Sequence, residues 1–343
     1  MKLEGALKPI IKPTDSEFNG ASVVDNKIKL FIDGCLMYAP VFEKQHGIYF
    51  DTYGCVSYSM ANAFEILIER MRELGLIYDS TWNWLIANGY IIDGRVRFSN
   101  RWLVVRSGTI PNLGNSGHQV IRFIKENGLA PLTLCDWDLE DRDPNNTKEA
   151  YYNADTINPK ADKVASEFAK IIDVFYEWVS RDNFNEASQY GAIQVYTQAW
   201  YRRDNGLYYN PEPGTSGHAI NMGEAQTNKI LDQYVPQIKQ MEKREDFYYY
   251  GLKINISDKS KNMIELKDNT LVQLVSGNGG FGLYLDGNIL IDDEAKILLT
   301  FIMRNSKVVD GEEGAVFNGG PIRPLLQEDW DKFPKKNLKL EDI

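Results

Sequence analysis

Residues 55–74 read CVSYSMANAFEILIERMREL, and this stretch decides the fold. Met60, Ala63, Phe64, Leu67, Ile68, Met71 and Leu74 recur at three- and four-residue intervals. That spacing predicts an amphipathic helix of about five turns, with Glu65, Glu69, Arg70 and Glu73 mostly off the apolar face. Asp51, Thr52 and Gly54 supply turn and cap residues just before it. Cys55 therefore stands at the start of the helix. A thiol attacks carbonyl groups as the thiolate, and a helix N-terminus or a neighbouring imidazolium favours that anion. Position alone makes Cys55 a candidate nucleophile; an inert buried thiol is the competing reading.

Working outward, residues 1–38 carry Pro9 and Pro13 and read as an irregular arm with one short strand near Ile28–Ile32. C-terminal to the helix, a second helix is predicted from about Gly117 to Glu126, stopped by Asn127-Gly128. The polar run from Asp136 to Asn158 reads as a long surface excursion, followed by a third helix over roughly Ala161 to Val179. The period then changes. GAIQVYTQAW (191–200), GHAINMGEA (217–225) and NKILDQYV (228–235) are short runs rich in branched residues and separated by turn residues, as in an antiparallel sheet. Helices precede strands, which argues for an α+β class. After a polar interval at 257–262, LVQLVSG, FGLYLDG and NILIDD read as strands and Glu294–Arg304 as a helix. These form either a β-rich subdomain or a final layer of the same fold.

Composition narrows the function. With 43% hydrophobic and 25% charged residues, the chain of 343 residues can bury a substantial core. Its 38 basic and 48 acidic side chains give a net charge of −10, which argues against nucleic acid as a partner. No apolar run is long enough for a membrane span, so no membrane partner is expected. The first fifteen residues lack a secretory pattern, so a cytoplasmic or particle-associated location is expected. Cys35, Cys55 and Cys135 are too few and scattered for a disulfide scaffold or a zinc site. DGNILIDDE (286–294) lacks the ligand spacing of a calcium loop; no metal or cofactor is expected.

The run C-V-S-Y-S-M-A-N-A-F-E (55–65) resembles the papain-family segment Cys-Trp-Ala-Phe-Ser followed by Glu, with Val56 in place of the tryptophan. Upstream, A-P-V-F-E-K-Q (39–45) is similar to the family's Pro-Val-x-x-Gln segment. Gln45 lies ten positions before Cys55 rather than the family's six, so four residues within HGIYFDTYG have to loop out. FSNRWLVVRSG (98–108), GNSGHQVIRFIKENGLAP (114–131), YGAIQVYTQA (190–199), SGHAIN (216–221) and LDQY (231–234) follow in the family's order. The resemblance spans about residues 28–256.

It implies a papain-like cysteine peptidase domain over 1–256, with a helical half at about 40–180, an antiparallel β half at about 186–256, and a C-terminal extension over 257–343. It further implies Cys55 as nucleophile, His218 as general base, Asp232 as the group orienting that base, and Gln45 as an oxyanion donor. Asp232 stands where the family more often has Asn; either accepts from the imidazole N–H. The implied substrate is a polypeptide. His46 and His118 are the rival bases. The Gln45–Glu65 region also resembles segments of phage proteins, which implies a divergent, phage-encoded member with virion or assembly partners. Two further readings stay open: a catalytically silent papain-like structural or virion-associated protein, and another thiol hydrolase such as a cell-wall amidase or a transglutaminase.

Overall fold

Along the chain come α1 (Cys55–Glu73), α2 (Asp79–Ala87), β1 (Ile91–Ile92), β2 (Arg95–Val96), α3 (Asn100–Arg106), α4 (Gly117–Asn127), α5 (Lys148–Tyr152), α6 (Pro159–Ile171) and β3 (Ile172–Ser180). There follow α7 (Phe184–Ala187), β4 (Ala192–Gln198), β5 (Tyr201–Arg202), β6 (Tyr208–Tyr209), β7 (Gly217–Glu224), β8 (Lys229–Asp232), β9 (Gln237–Gln240) and β10 (Phe247–Asp258). The computed structural model describes residue 6 and residues 29–32, 34–40, 44–198, 200–209, 217–234, 237–243, 247–259, 263–265, 271–277, 280–285 and 288–289. These fall into two compact units, one drawn from residues 1–77 and 82–257, the other from 78–81 and 258–343. Among the described residues no helix is long and apolar enough to cross a membrane.

Local chemistry sets the helix ends. Ser99 caps α3 by accepting from the Trp102 N–H, and Ser116 caps α4 by accepting from the Gln119 N–H. Gly128 ends α4 at φ 77°, a conformation that suits a residue without a Cβ. In α6, Asn158 accepts from Lys160 N–H and Pro159 fills the first turn.

The larger unit carries a six-stranded sheet in the order β3-β10-β4-β7-β8-β9. Its pairings from β10 through β9 are all antiparallel. Val179, Phe184, Ile193, Val195, Ile220, Met222 and Ile230 form one core cluster of this half. Among the helices, Tyr58, Val104, Leu139 and Tyr151 form another. In the second unit β11 (Met263–Glu265), β12 (Leu271–Gly277), β13 (Gly280–Leu285) and β14 (Asn288–Ile289) pair antiparallel in sequence order.

Four expectations need correction. The third helix does not reach Val179. It stops at Ile171, and IDVFYEWVS becomes β3. The apolar residues continue through the junction, but the branched and aromatic density favours an extended chain against a sheet neighbour. Second, Glu65 is not off the core: it is 4% exposed and accepts from the Phe98 N–H at 2.9 Å, while Glu69 accepts from Val96 N–H at 2.8 Å. The two carboxylates satisfy backbone donors beside β2 that burial would otherwise strand. Third, the 136–158 run is not purely surface. Leu139, Asn146 and Tyr151 are buried within it, and Asn146 Nδ2 donates to the Asp138 and Asp141 carbonyls at 2.9 Å each. Fourth, Lys29–Ile32 is not a strand. The helix expected over Glu294–Arg304 lies outside the described residues.

Candidate active site

Cys55 is the first residue of α1, and the turn before it is held by its own side chains. Asp51 Oδ1 accepts from the Tyr53 N–H at 2.7 Å, and Thr52 Oγ1 accepts from the Gly54 N–H at 3.2 Å. A Cβ on Gly54 would lie 2.6 Å from Val104 Cγ2, so a larger residue there would have to displace that side chain. The Cys55 side chain has no exposed surface.

The extra residues between Gln45 and Cys55 form a tight reversal. His46 bridges Asp51, Gly47 N–H donates to Phe50 O at 2.9 Å, and Thr52 N–H donates to Gln45 O at 3.1 Å. Residues 46–51 thus loop out and return, which sets Gln45 against Thr52 in the segment leading into α1. Gln45 is 3% exposed, and its Nε2 reaches Asp51 Oδ1 at 3.5 Å. Burial raises the Asp51 pKa, opposed by the Tyr53 N–H, by His46 and His218, and by Gln45.

His218 and Asp232 sit on the neighbouring strands β7 and β8. Their separation of fourteen residues spans the turn between the two strands, and His218 Nε2 meets Asp232 Oδ1 at 2.8 Å. Cys55 lies near enough to the His218 ring to help raise its pKa. Burial works to lower the His218 pKa, but the hydrogen-bonded Asp232 carboxylate, helped by the nearby Cys55, outweighs it and raises it. Burial likewise pushes Asp232 up, and His218 and Lys239 reverse that and hold it low.

What brings a helix tip and two strands to one point is a set of buried amides. Gln194 on β4 donates to the Val56 carbonyl at 2.9 Å and to Ser59 Oγ at 2.6 Å. Asn221 on β7 donates to the Ser59 carbonyl at 2.9 Å, and Gln233 donates to Asn221 Oδ1 at 3.0 Å. The Gln233 carbonyl in turn accepts from the Gln45 N–H at 3.1 Å. The first turn of α1, the His218 strand and the Gln45 segment are therefore pinned to one another.

The rival histidines go elsewhere. His118, in the first turn of α4, packs with its ring 5.9 Å from Tyr176 and 6.4 Å from Trp178, both on β3 at the far edge of the sheet. His46 is exposed, with its ring 5.2 Å from Tyr234. Cys35 and Cys135 are buried, and burial raises both of their pKa values, Cys35 to about 12. Among the described residues no cluster of three or more His, Cys, Asp or Glu side chains could hold a metal.

Sequence reasoning missed Lys239 and Trp200, and it read Asp51 as a turn residue without its nearness to His218. The Trp200 ring lies 5.6 Å from that of His218 in an edge-on arrangement. Lys239 sits in KQMEKRED, where a run of charges reads as solvated surface.

No family model matches the chain, and neither does any curated protein. Among solved structures it is similar to xylellain, a cysteine protease from Xylella fastidiosa, with 11% identity and a TM-score of 0.52 over 74% of this chain and 96% of that one. The fold is papain-like. A Carica candamarcensis cysteine protease is also similar, at 10% identity and a TM-score of 0.41, over 64% of this chain and 94% of that one. The papain-like α+β arrangement, helices on one side and an antiparallel sheet on the other, is what places a helix tip against two strands here.

Proposed function

We propose that this chain is a cysteine-type peptidase that hydrolyses polypeptides through Cys55, His218 and Asp232. The observation that carries the reading is the 2.8 Å contact of the His218 ring with the buried Asp232 carboxylate, on strands that buried amides fasten to the helix start where Cys55 stands. His218 takes the thiol proton, and the Cys55 sulfur attacks the peptide carbonyl carbon. The C–N bond then breaks as His218 returns the proton to the departing amine, leaving a thioester. Water, deprotonated by His218, attacks the thioester and restores the thiol. The oxyanion formed in each half falls to the Cys55 backbone N–H and the Gln45 amide. Asp232 holds the ring orientation and stabilises the imidazolium.

Alkylation tests this directly. Iodoacetamide at neutral pH is expected to modify Cys55 ahead of Cys35 and Cys135, read by peptide mass mapping. His218→Ala is expected to remove that preference; labelling indifferent to His218 would overturn the assignment.

Access to the sulfur carries a second prediction. The Ala6 N–H donates to the Gly217 carbonyl at 3.2 Å, and Ala6 also bridges Asn115. Gly217 immediately precedes His218, so an extended substrate reaching the sulfur would compete with residue 6 for that carbonyl. Ala6→Pro removes the donor. Losing one hydrogen bond of about 1 kcal/mol should speed both Cys55 alkylation and turnover roughly fivefold. Rates equal to those of the unaltered chain would show that residue 6 does not restrict entry.

A further inference from the structure

Strand β9 is built the wrong way round for a surface strand. In Gln237-Ile-Lys-Gln240 the apolar Ile238 is 49% exposed, while Lys239 is 5% exposed. Lys239 stands opposite Ile230 and Gln237 opposite Asp232, so Lys239 and Asp232 are diagonal neighbours on one face of the sheet. A long side chain spans that diagonal, and Lys239 Nζ forms an ion pair with Asp232 Oδ2. The ammonium also lies 5.4 Å from the Trp200 ring centroid and 5.0 Å from that of Tyr208.

Both carboxylate oxygens are therefore engaged. Oδ1 accepts from His218 Nε2 at 2.8 Å and from the Tyr234 N–H at 2.9 Å, and Oδ2 faces the ammonium. The Asp232 side chain is 1% exposed, where an unpaired carboxylate would be costly and would tend to take up a proton. With Lys239 the site stays balanced in charge whether the proton rests on sulfur or has moved to the ring. Thiol, neutral imidazole, carboxylate and ammonium sum to zero, and so do thiolate, imidazolium, carboxylate and ammonium.

We propose that Lys239 is a positioning residue of this site: it clamps Asp232 against the His218 ring and keeps that carboxylate ionised in a water-poor setting. The inference rests on reading Cys55, His218 and Asp232 as the reacting group. It adds a fourth member that never touches substrate and acts through Asp232. The other charged or titratable groups facing His218 are Cys55 from α1 and Asp51 and Tyr234 at the mouth of the site; they remain in every variant below.

The test compares Lys239→Met, Lys239→Arg, Asp232→Asn and the double variant D232N/K239M, using two readouts. One is the pH profile of Cys55 alkylation by iodoacetamide; the other is the NMR titration of the His218 ring. Removing a cation beside Asp232 should move both limbs of the alkylation profile upward by about 1–3 pH units. Asp232 then protonates more readily, and its undivided charge holds the imidazolium longer. Lys239→Arg should leave both limbs near their original places. In the Asp232→Asn background, removing Lys239 should produce no further shift. Slower alkylation with unmoved limbs would reduce Lys239 to a packing role and overturn the proposal. Should K239M fail to fold, folding of the double variant would support the pairing, and failure of both would count against it. A parent chain whose Cys55 profile ignores His218→Ala sinks the peptidase reading itself, a result distinct from unmoved limbs in K239M.

Discussion

Replacing Cys55 with Ala is expected to lower peptide hydrolysis by on the order of 10⁶, with the circular dichroism spectrum and unfolding midpoint little changed. His218→Ala should cost about as much, and the two together little more than either, because nucleophile and base act as a unit. The pH profile carries the signature of the pair. His218 has its pKa raised in the folded chain by Asp232 and Cys55 against the effect of burial. Its charged form therefore stabilises the site fully below the ordinary imidazole value of about 6.5, and that contribution is lost as pH rises through the raised value. Asp232 works in the opposite sense. Its pKa is lowered, so its contribution is complete above the ordinary carboxylate range and disappears as pH falls through the depressed value. Activity is thus expected to persist well above pH 6.5 and to fall at high pH, measured as kcat/KM on a quenched peptide library. A profile already falling at pH 6.5 would contradict the arrangement.

The second large effect concerns stability rather than chemistry. Lys253 on β10 and Glu177 on β3 form an ion pair with side chains 1% and 3% exposed. The two strands are neighbours at one edge of the sheet. Lys253→Met takes one cation from the buried Glu177 carboxylate, and a loss of about 3–5 kcal/mol is expected in urea unfolding. Burial lowers the Lys253 pKa despite the pull of Glu177, so desolvation is the stronger of the two influences. Replacing both partners, as in K253M/E177L, should therefore restore the stability of the parent or exceed it. A single variant as stable as the parent would show that the pair is not sealed from water.

The helices were legible because their signals are local. The apolar spacing of α1 and the Asn127-Gly128 stop of α4 need nothing beyond a few neighbouring residues. The boundary between α6 and β3 was not legible. The same apolar residues satisfy either period, and only the neighbouring strand decides for extension. Glu65 and Lys239 misled for a common reason. A charge is placed on the surface by default, and its burial depends on a partner that another element supplies: the Phe98 N–H in one case, Asp232 on the adjoining strand in the other.

From its sequence alone this protein fixed the long helix with a cysteine at its tip, the change from helices to short strands, and a histidine and an aspartate spaced to meet across a turn between strands. Tertiary structure alone decided that Gln194 and Asn221 fasten α1 to the sheet, and that a lysine closes the carboxylate's far side. The physical reason is range. Helix periodicity and turn chemistry act over a few residues, whereas a buried polar group needs a partner that another segment brings to it, and that partner is known only once the chain has folded.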